Sequence, residues 1–307
     1  MLRLIALAVL FALASGWSQA ASVVLVSSDG TASYAEVAKV MAFEWRRSGL
    51  LEREVENYTL GDLPAEGSIS PRLFVALGSR ACQALATRDS RIPLLCAVVP
   101  RNLLERLVSS DVSKSAGLYG LALDQPAARQ LDLIRFAFPK ARRLGLMWSR
   151  ESSSAVSELV SALPARELRA VSPHVEPGEL IFSALKKVLA EADVLLALPD
   201  PNIYNSSSVQ NILLSTFRAN LPVVGFSPAY VRAGAVLGLY ATPEQTGRQA
   251  ADLARALLAG RMPVTPVQVP KEFTVDVNEH VMRSLGLALN AAELTQTLLR
   301  WESRREK

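Results

Sequence analysis

Polar residues able to grip a small molecule recur where short apolar runs end. Asp200 follows the run Val194 to Leu198 and precedes a helix expected to open near Ser206. A carboxylate there can hold a ligand ammonium through a charge-assisted hydrogen bond. Equally, Asp200 and Asn205 can simply cap the turn between strand and helix. The free N–H groups of that helix, with Asn205 and Ser206, can hold an anion such as a ligand carboxylate. Asn202 and Tyr204 occupy the same stretch. Ser27 and Ser28 end the first apolar run, and Gly78-Ser79 end another where a helix starts. Ser149, Ser227 and Tyr240 end later runs. Hydroxyls so placed suit carboxylate or hydroxyl recognition, or plain N-capping. Tyr34, Trp148, Tyr204, Phe226, Tyr230 and Tyr240 stand near these ends, able to sandwich a planar ligand or to pack the core.

These residues need strands to carry them, and the chain supplies two successive sets. Val23-Val24-Leu25-Val26 is fully apolar, as strands buried on both faces of a parallel sheet are. Tyr34, Val37, Ala38, Met41 and Trp45 then share one helix face, and Gly49 ends that helix. Leu73 to Gly78 and Leu94 to Val99 are further strands, with a helix from Ser79 to Arg88 between them, and Leu118 to Leu123 completes the set. In the second set Asp124 is placed to cap a helix opening at Pro126. Strands follow at Arg143 to Trp148, Glu167 to Ser172, Asp193 to Leu198, Pro222 to Phe226 and Ala235 to Tyr240. A helix spans Leu180 to Ala190, and another spans about Ser206 to Ala219, with Val209, Ile212, Leu213 and Phe217 inward. Thr242-Pro243-Glu244-Gln245 reads as a capping box with proline at N1. Its helix buries Ala250, Leu253, Ala254, Leu257 and Leu258 and stops at Gly260. Pro263 to Pro270 is extended, Phe273 to Val277 alternates like an edge strand, and two helices follow. The fold class is therefore α/β, two doubly wound parallel-sheet lobes. Ligands of such sheets sit at the carboxyl ends of the strands, so two facing edges make a cleft that a hinge can close.

Arg3, the apolar run Leu4 to Ala14, the helix-breaking Gly16 and Ser18-Gln19-Ala20 form a secretory signal at residues 1–20, with cleavage after Ala20. The apolar run is too short to span the roughly 30 Å of a bilayer core, so a soluble periplasmic chain is expected. The formal net charge is +4. The densest basic clusters are Arg142-Arg143 and Arg300-Trp301-Glu302-Ser303-Arg304-Arg305. Neither is a continuous stripe with interleaved aromatics, so nucleic acid is excluded as a partner. Cys82 and Cys96 are the only cysteines. In an oxidising space they either pair or serve as small buried apolar residues, helix-borne and strand-borne.

Catalytic motifs are missing: no His-Glu-x-x-His, no Gly-x-Ser-x-Gly, no Walker loop, and Gly117 and Gly120 do not extend to a dinucleotide fingerprint. His174 and His280, the only histidines, read as solvated surface residues. Ser183-Ala184-Leu185-Lys186 matches Ser-x-x-Lys by chance within an amphipathic helix. Binding rather than catalysis is expected, with no metal and no cofactor.

The stretch 193–260 carries a resemblance. It contains Leu198-Pro199-Asp200-Pro201-Asn202-Ile203-Tyr204-Asn205, Pro222-Val223-Val224-Gly225-Phe226-Ser227, Tyr230 to Ala235, and Tyr240 to Ala250. Tyr119-Gly120-Leu121, Gln130 to Ile134, Pro139 to Gly145 and Val277 to Leu287 extend it. This resembles the ABC-transporter substrate-binding family of the type I periplasmic fold, the group that includes tryptophan-binding receptors. The resemblance implies lobe 1 at residues 21–123 plus 243–262, lobe 2 at 124–242, and a C-terminal segment, 263–307, packing across the hinge. It implies a monomeric receptor that hands a small solute, an aromatic amino acid among the candidates, to an inner-membrane ABC permease. A periplasmic sensor presenting its solute to a signalling receptor would share the fold.

Overall fold

Runs of consecutive apolar residues become the middle strands of two parallel sheets. The computed structural model describes residues 22–49, 54–88, 91–110, 113, 115–176 and 178–305; the export signal expected at 1–20 lies outside them. In the first sheet β1 (Val23–Ser27), β2 (Val55–Thr59), β3 (Leu73–Leu77), β4 (Leu94–Val99), β5 (Leu118–Ala122) and β11 (Val267–Gln268) run parallel in the order β11-β5-β4-β3-β1-β2. The second sheet holds β6 (Arg143–Gly145), β7 (Arg169–Val171), β8 (Val194–Leu196), β9 (Val223–Gly225), β10 (Leu237–Tyr240) and β12 (Thr274–Val277). Its order is β12-β10-β9-β8-β6-β7, and only β12 is antiparallel.

Helices cover both faces of each sheet. On the first, Val24, Val26 and Phe74 bury against α2 (Ser79–Thr87) and α3 (Arg101–Ser109). Val23, Leu25 and Val75 bury against α1 (Ala32–Arg47) and α9 (Pro243–Leu258) on the other face. Each such side chain contributes about 1.5–3 kcal/mol when fully buried. On the second sheet α4 (Ala127–Ala137), α5 (Ser153–Ala162) and the C-terminal α11 (Ala291–Arg305) share one core. Helices α6 (Ile181–Glu191) and α7 (Val209–Arg218), with α8 (Pro228–Ala233), cover the opposite face. A short helix, α10 (Glu279–Ser284), precedes α11. The chain passes from the first sheet to the second after β5 and returns into α9. It then gives β11 to the first sheet and β12 to the second.

The Thr242 capping box is present in full, with Thr242 and Gln245 exchanging side-chain and backbone hydrogen bonds at 2.9 and 3.2 Å. Several sequence expectations are corrected. Asp124 does not cap α4, whose N-cap is Pro126 without a side-chain bond. Its carboxylate instead accepts from the Arg101 N–H at 2.7 Å, capping α3. The helix expected from Ser206 begins at Val209, because Asn205 Oδ1 and Ser208 Oγ hold the preceding residues in a side-chain-bonded turn. Phe217 is 41% exposed; the buried stripe of α7 is Ile212, Leu213 and Thr216. The sequence reading lacked β2, α3, α5 and α8.

Cys82 and Cys96 are bonded, with their Cα atoms 5.5 Å apart. Helix α2 links β3 to β4 and lies back over β4, so its inward face meets that strand directly. Both residues are fully buried.

Candidate ligand-binding site

The carboxyl ends of the first sheet carry a small polar cluster. Ser28, just past β1 and 6% exposed, accepts the Ala81 N–H on its Oγ at 3.0 Å and so caps α2. Gly78 has φ +90°, and a Cβ there would collide with the Tyr34 hydroxyl and Ser28 Oγ, so glycine alone fits. Burial raises the Tyr34 phenol above its usual range. Arg80 donates to the Ser28 carbonyl at 3.0 Å and to Asp29 Oδ2 at 2.7 Å. Asp29 is held below the usual carboxylate range, first by the Thr31 N–H. The Ser79 hydroxyl, half-buried at the first position of α2, has no hydrogen-bond partner among the described residues.

Ser27 does not join this cluster. Side chains alternate along a strand, so Ser27 falls with Leu25 on the opposite face. There it lines a cavity of about 510 Å³ with Ala35, Ala38 and Asn57, and with Asp29 and Thr31 at its rim.

On the second sheet Asp200 is 1% exposed and is saturated by protein donors. Its oxygens accept from Ser149 N at 2.9 Å, Ser149 Oγ at 2.8 and 3.0 Å, Ser152 Oγ at 2.6 Å and Asn202 N at 3.0 Å. The exposed Asn202 donates its amide to Ser149 Oγ at 3.1 Å. Asp200 thus ties the end of β8 to the end of β6; of its partners only Asn202 reaches open space, since Ser149 and Ser152 are each 2% exposed. Asn205 closes its own loop, donating to Pro201 O at 3.0 Å.

The aromatic candidates mostly pack inward. Tyr204, 6% exposed, meets Phe226 and Tyr230 edge-on at 6.5 and 6.4 Å inside the α6–α7 core. Its hydroxyl has no hydrogen-bond partner among the described residues, and burial lifts its pKa well above the usual value. Tyr230 donates to the Tyr204 carbonyl at 3.0 Å. Tyr240 donates to Asp276 Oδ2 at 3.0 Å, joining β10 to β12. Trp148 packs on His174 with ring centroids 4.2 Å apart at the ends of β6 and β7. His174 is accordingly not a fully solvated residue: its side chain is 32% exposed. Ser227 precedes α8 without a side-chain cap bond.

The two edges meet. Asn102, the second residue of α3 and 8% exposed, donates to the carbonyls of Glu151 at 2.8 Å and Arg150 at 3.3 Å, in the turn Arg150–Ser152 that follows the end of β6. Ser154 donates back to Asn102 Oδ1 at 3.1 Å. Arg106–Glu151 at 2.7 Å and Arg101–Glu158 at 2.6 Å flank this contact. The carboxyl edges of the two sheets are thus in contact at one side.

A family model described as ABC transporter substrate binding protein matches residues 68–297. The chain belongs to the ABC transporter substrate-binding protein family. A conserved domain protein from Vibrio cholerae shares the fold at 21% identity and TM-score 0.66, over 89% of this chain and 97% of that one. The ABC domain from Streptococcus pneumoniae, solved with L-Trp, matches at 18% identity and TM-score 0.67, over 89% and 97%. An open, ligand-free substrate-binding protein from Clostridium difficile matches at 18% identity and TM-score 0.66, over 88% and 96%. No curated protein sequence matches the chain.

In this substrate-binding protein, sequence reasoning missed Ser152 and Asn102. Ser152 was invisible because its value lies in a bond to a residue 48 positions away. Asn102 lies inside the first turn of α3, three residues past the apolar strand, and nothing in its local sequence marks it. Asp124, on the segment joining the lobes, faces Arg101 and Glu105 of α3, and burial pushes its carboxyl up to about 6 from 3.8. The folded state therefore holds this proton more tightly than the unfolded chain, and its ionisation lowers stability as pH rises through that interval. Asp124→Asn, which keeps an acceptor for Arg101 N–H, is expected to raise the melting temperature at pH 8 and to match wild type near pH 4. Melting curves across that range test this; a pH-independent difference between the two proteins contradicts it.

Proposed function

We propose that the protein is the exported, monomeric solute receptor of an ABC importer, capturing a small molecule between its two lobes in the periplasm and delivering it to an inner-membrane permease. The contact of Asn102 with Arg150 and Glu151 carries this reading, because it sets the carboxyl ends of both sheets against each other. The hydroxyls of Ser79 and Ser227 and the amide of Asn202 line those ends as adaptable polar contacts. Trp148, buttressed by His174, offers an apolar ring at the same edge. The solute is an amino acid, with aromatic ones first, a choice supported by the L-Trp complex of the Streptococcus pneumoniae domain. Asp200 supports the pocket from behind, orienting Ser149 and Asn202 instead of meeting the solute's ammonium itself.

A thermal-shift panel of amino acids, nucleosides and small organic acids on the chain from residue 21 tests the solute class. Ligand at a hundred times its Kd stabilises by about 2.7 kcal/mol, a shift of several degrees. A shift with an aromatic amino acid is expected. Shifts confined to nucleosides or organic acids would overturn the amino-acid assignment and leave the receptor reading in place.

A further inference from the structure

The two densest basic clusters of the sequence lie far apart in the chain, and the solute cleft uses neither. The fold brings them together. Phe136, near the end of α4, meets Trp301 of α11 edge-on, with ring centroids 5.8 Å apart. Arg135, Lys140, Arg142 and Arg143 lie near Phe136 in the chain, and Arg300, Arg304 and Arg305 lie near Trp301, with Arg305 turned to a cavity it shares with Pro126, Asp132 and Gln268. Arg143 and Arg169 stand side by side as the paired first residues of β6 and β7. This places them at the amino edge of the second sheet, opposite the carboxyl edge where the cleft lies.

Much of this charge has no counter-ion. The side chains of Arg135 and Arg142 donate to the carbonyls of Pro139 and Ala141 at 2.9–3.4 Å, while the Arg142 backbone N–H donates to Asp193 Oδ2 at 2.9 Å. Lys140, Arg169 and Arg304 are exposed and have no acidic partner among the described residues, and Arg300 meets only Gln296 O and Thr297. Arg143 is matched by Asp193, while Arg166 and Arg305 share the single carboxylate of Asp132. Glu167, beside Arg142, Arg143 and Arg169, and Glu191, close enough to act on Arg143, are the further carboxylates at this pole among the described residues. Favourable interaction with a helix C-terminus accounts for Arg135 and Arg304. It does not account for Lys140, Arg142 and Arg169, which sit in a loop and at strand starts. Beside these cations Trp301 is 42% and Leu299 53% exposed.

We propose that this pole of the second lobe docks on a bilayer surface carrying anionic phospholipid headgroups. Unmatched cations around a half-exposed tryptophan are the composition of an interfacial contact: the charges meet the headgroups and the indole sits at their level. Each Lys or Arg held near such a surface adds roughly fivefold to affinity. Docking at the amino edge leaves the strand carboxyl ends uncovered, so a membrane-held molecule keeps an accessible cleft. The proposal does not depend on which solute the cleft takes.

Co-sedimentation of the chain from residue 21, which contains every described element, with vesicles decides it. Vesicles of phosphatidylglycerol and phosphatidylcholine in equal parts are expected to bind at least tenfold more protein than pure phosphatidylcholine. The tryptophan emission should shift to the blue, and binding should be lost at about 0.5 M salt, where the screening length is a few ångströms. Lys140→Glu with Arg169→Glu, two residues without a partner to lose, should keep the melting temperature and reduce binding more than tenfold. Equal binding to both vesicle types, or equal binding by wild type and the double variant, overturns the proposal. Binding to a soluble polyanion such as heparin without binding to anionic vesicles also overturns it, in favour of a polyanion site.

Discussion

Asp200→Ala is expected to destabilise the second lobe by about 3–5 kcal/mol, the cost of breaking a buried charged network by removing one partner. The variant strips the acceptor from the N–H of Ser149, the N–H of Asn202 and the hydroxyls of Ser149 and Ser152 at once. An unsatisfied buried donor costs about 1–3 kcal/mol, and water entering from the cleft side recovers part of that. The ends of β6 and β8 would then part, and the turn Arg150–Ser152 with them. Because Asn102 grips that turn from the first lobe, solute binding should fall together with stability. Asp200→Asn keeps one acceptor oxygen and turns an amide against the remaining donors, so it should lie between alanine and wild type. Calorimetry of all three tests the order. A melting temperature for Asp200→Ala equal to that of wild type would mean that the network holds nothing, and would return Asp200 to the role of a direct solute contact.

That expectation shows where the sequence was legible and where it was not. The type and place of Asp200 were readable: a carboxylate directly after an apolar run. Its role was not, since its partners come from residues around fifty positions earlier. The buried strands were readable because a strand covered on both faces must be apolar at consecutive positions, as Leu73 to Leu77 are. β2, with the sequence Val-Glu-Asn-Tyr-Thr, was not readable: it is an edge strand, partly exposed, paired only to β1. The divergence of Ser27 from Ser28 follows from the period of two along a strand. For the aromatic residues the sequence leaves ligand contact and core packing both open. Their spacing from strand ends is right for a cleft, but Tyr204, Phe226 and Tyr230 turn beneath the loop into the α6–α7 core, where a large apolar surface is better buried.

The contact between the lobes explains how so sparse a site can act as a receptor. Asn102 is nearly buried while belonging to the first lobe and bonding to the second, so it marks where the two move least with respect to each other. The pairs Arg101–Glu158 and Arg106–Glu151 are partly exposed and each contributes about 0–1 kcal/mol. Weak ion pairs beside one well-buried amide suit a joint that flexes without parting.

The disulfide gives the second large effect, and it acts on the other lobe. Cys82→Ala with Cys96→Ala is expected to destabilise the first lobe by about 3 kcal/mol. The crosslink closes a separation of 14 residues, and a loop of that length restricts the unfolded chain by roughly this amount. Alanine is the suitable replacement, because a serine hydroxyl at either fully buried position would add an unmet polar group. Cys82 lies one turn into α2, beside the Ala81 N–H that Ser28 caps, so the same variant should loosen the start of that helix. Faster amide hydrogen exchange at Arg80, Ala81 and Cys82 is expected, with exchange across β8 and β9 unchanged. With both sulfurs inside the core, reductant should act on the native protein only as fast as the first lobe opens. Asp200→Ala and the cysteine variant should therefore lower different calorimetric transitions, one for each lobe. A single transition moved equally by both would mean that the lobes unfold as one unit, with the Asn102 contact carrying more cohesion than its few hydrogen bonds suggest.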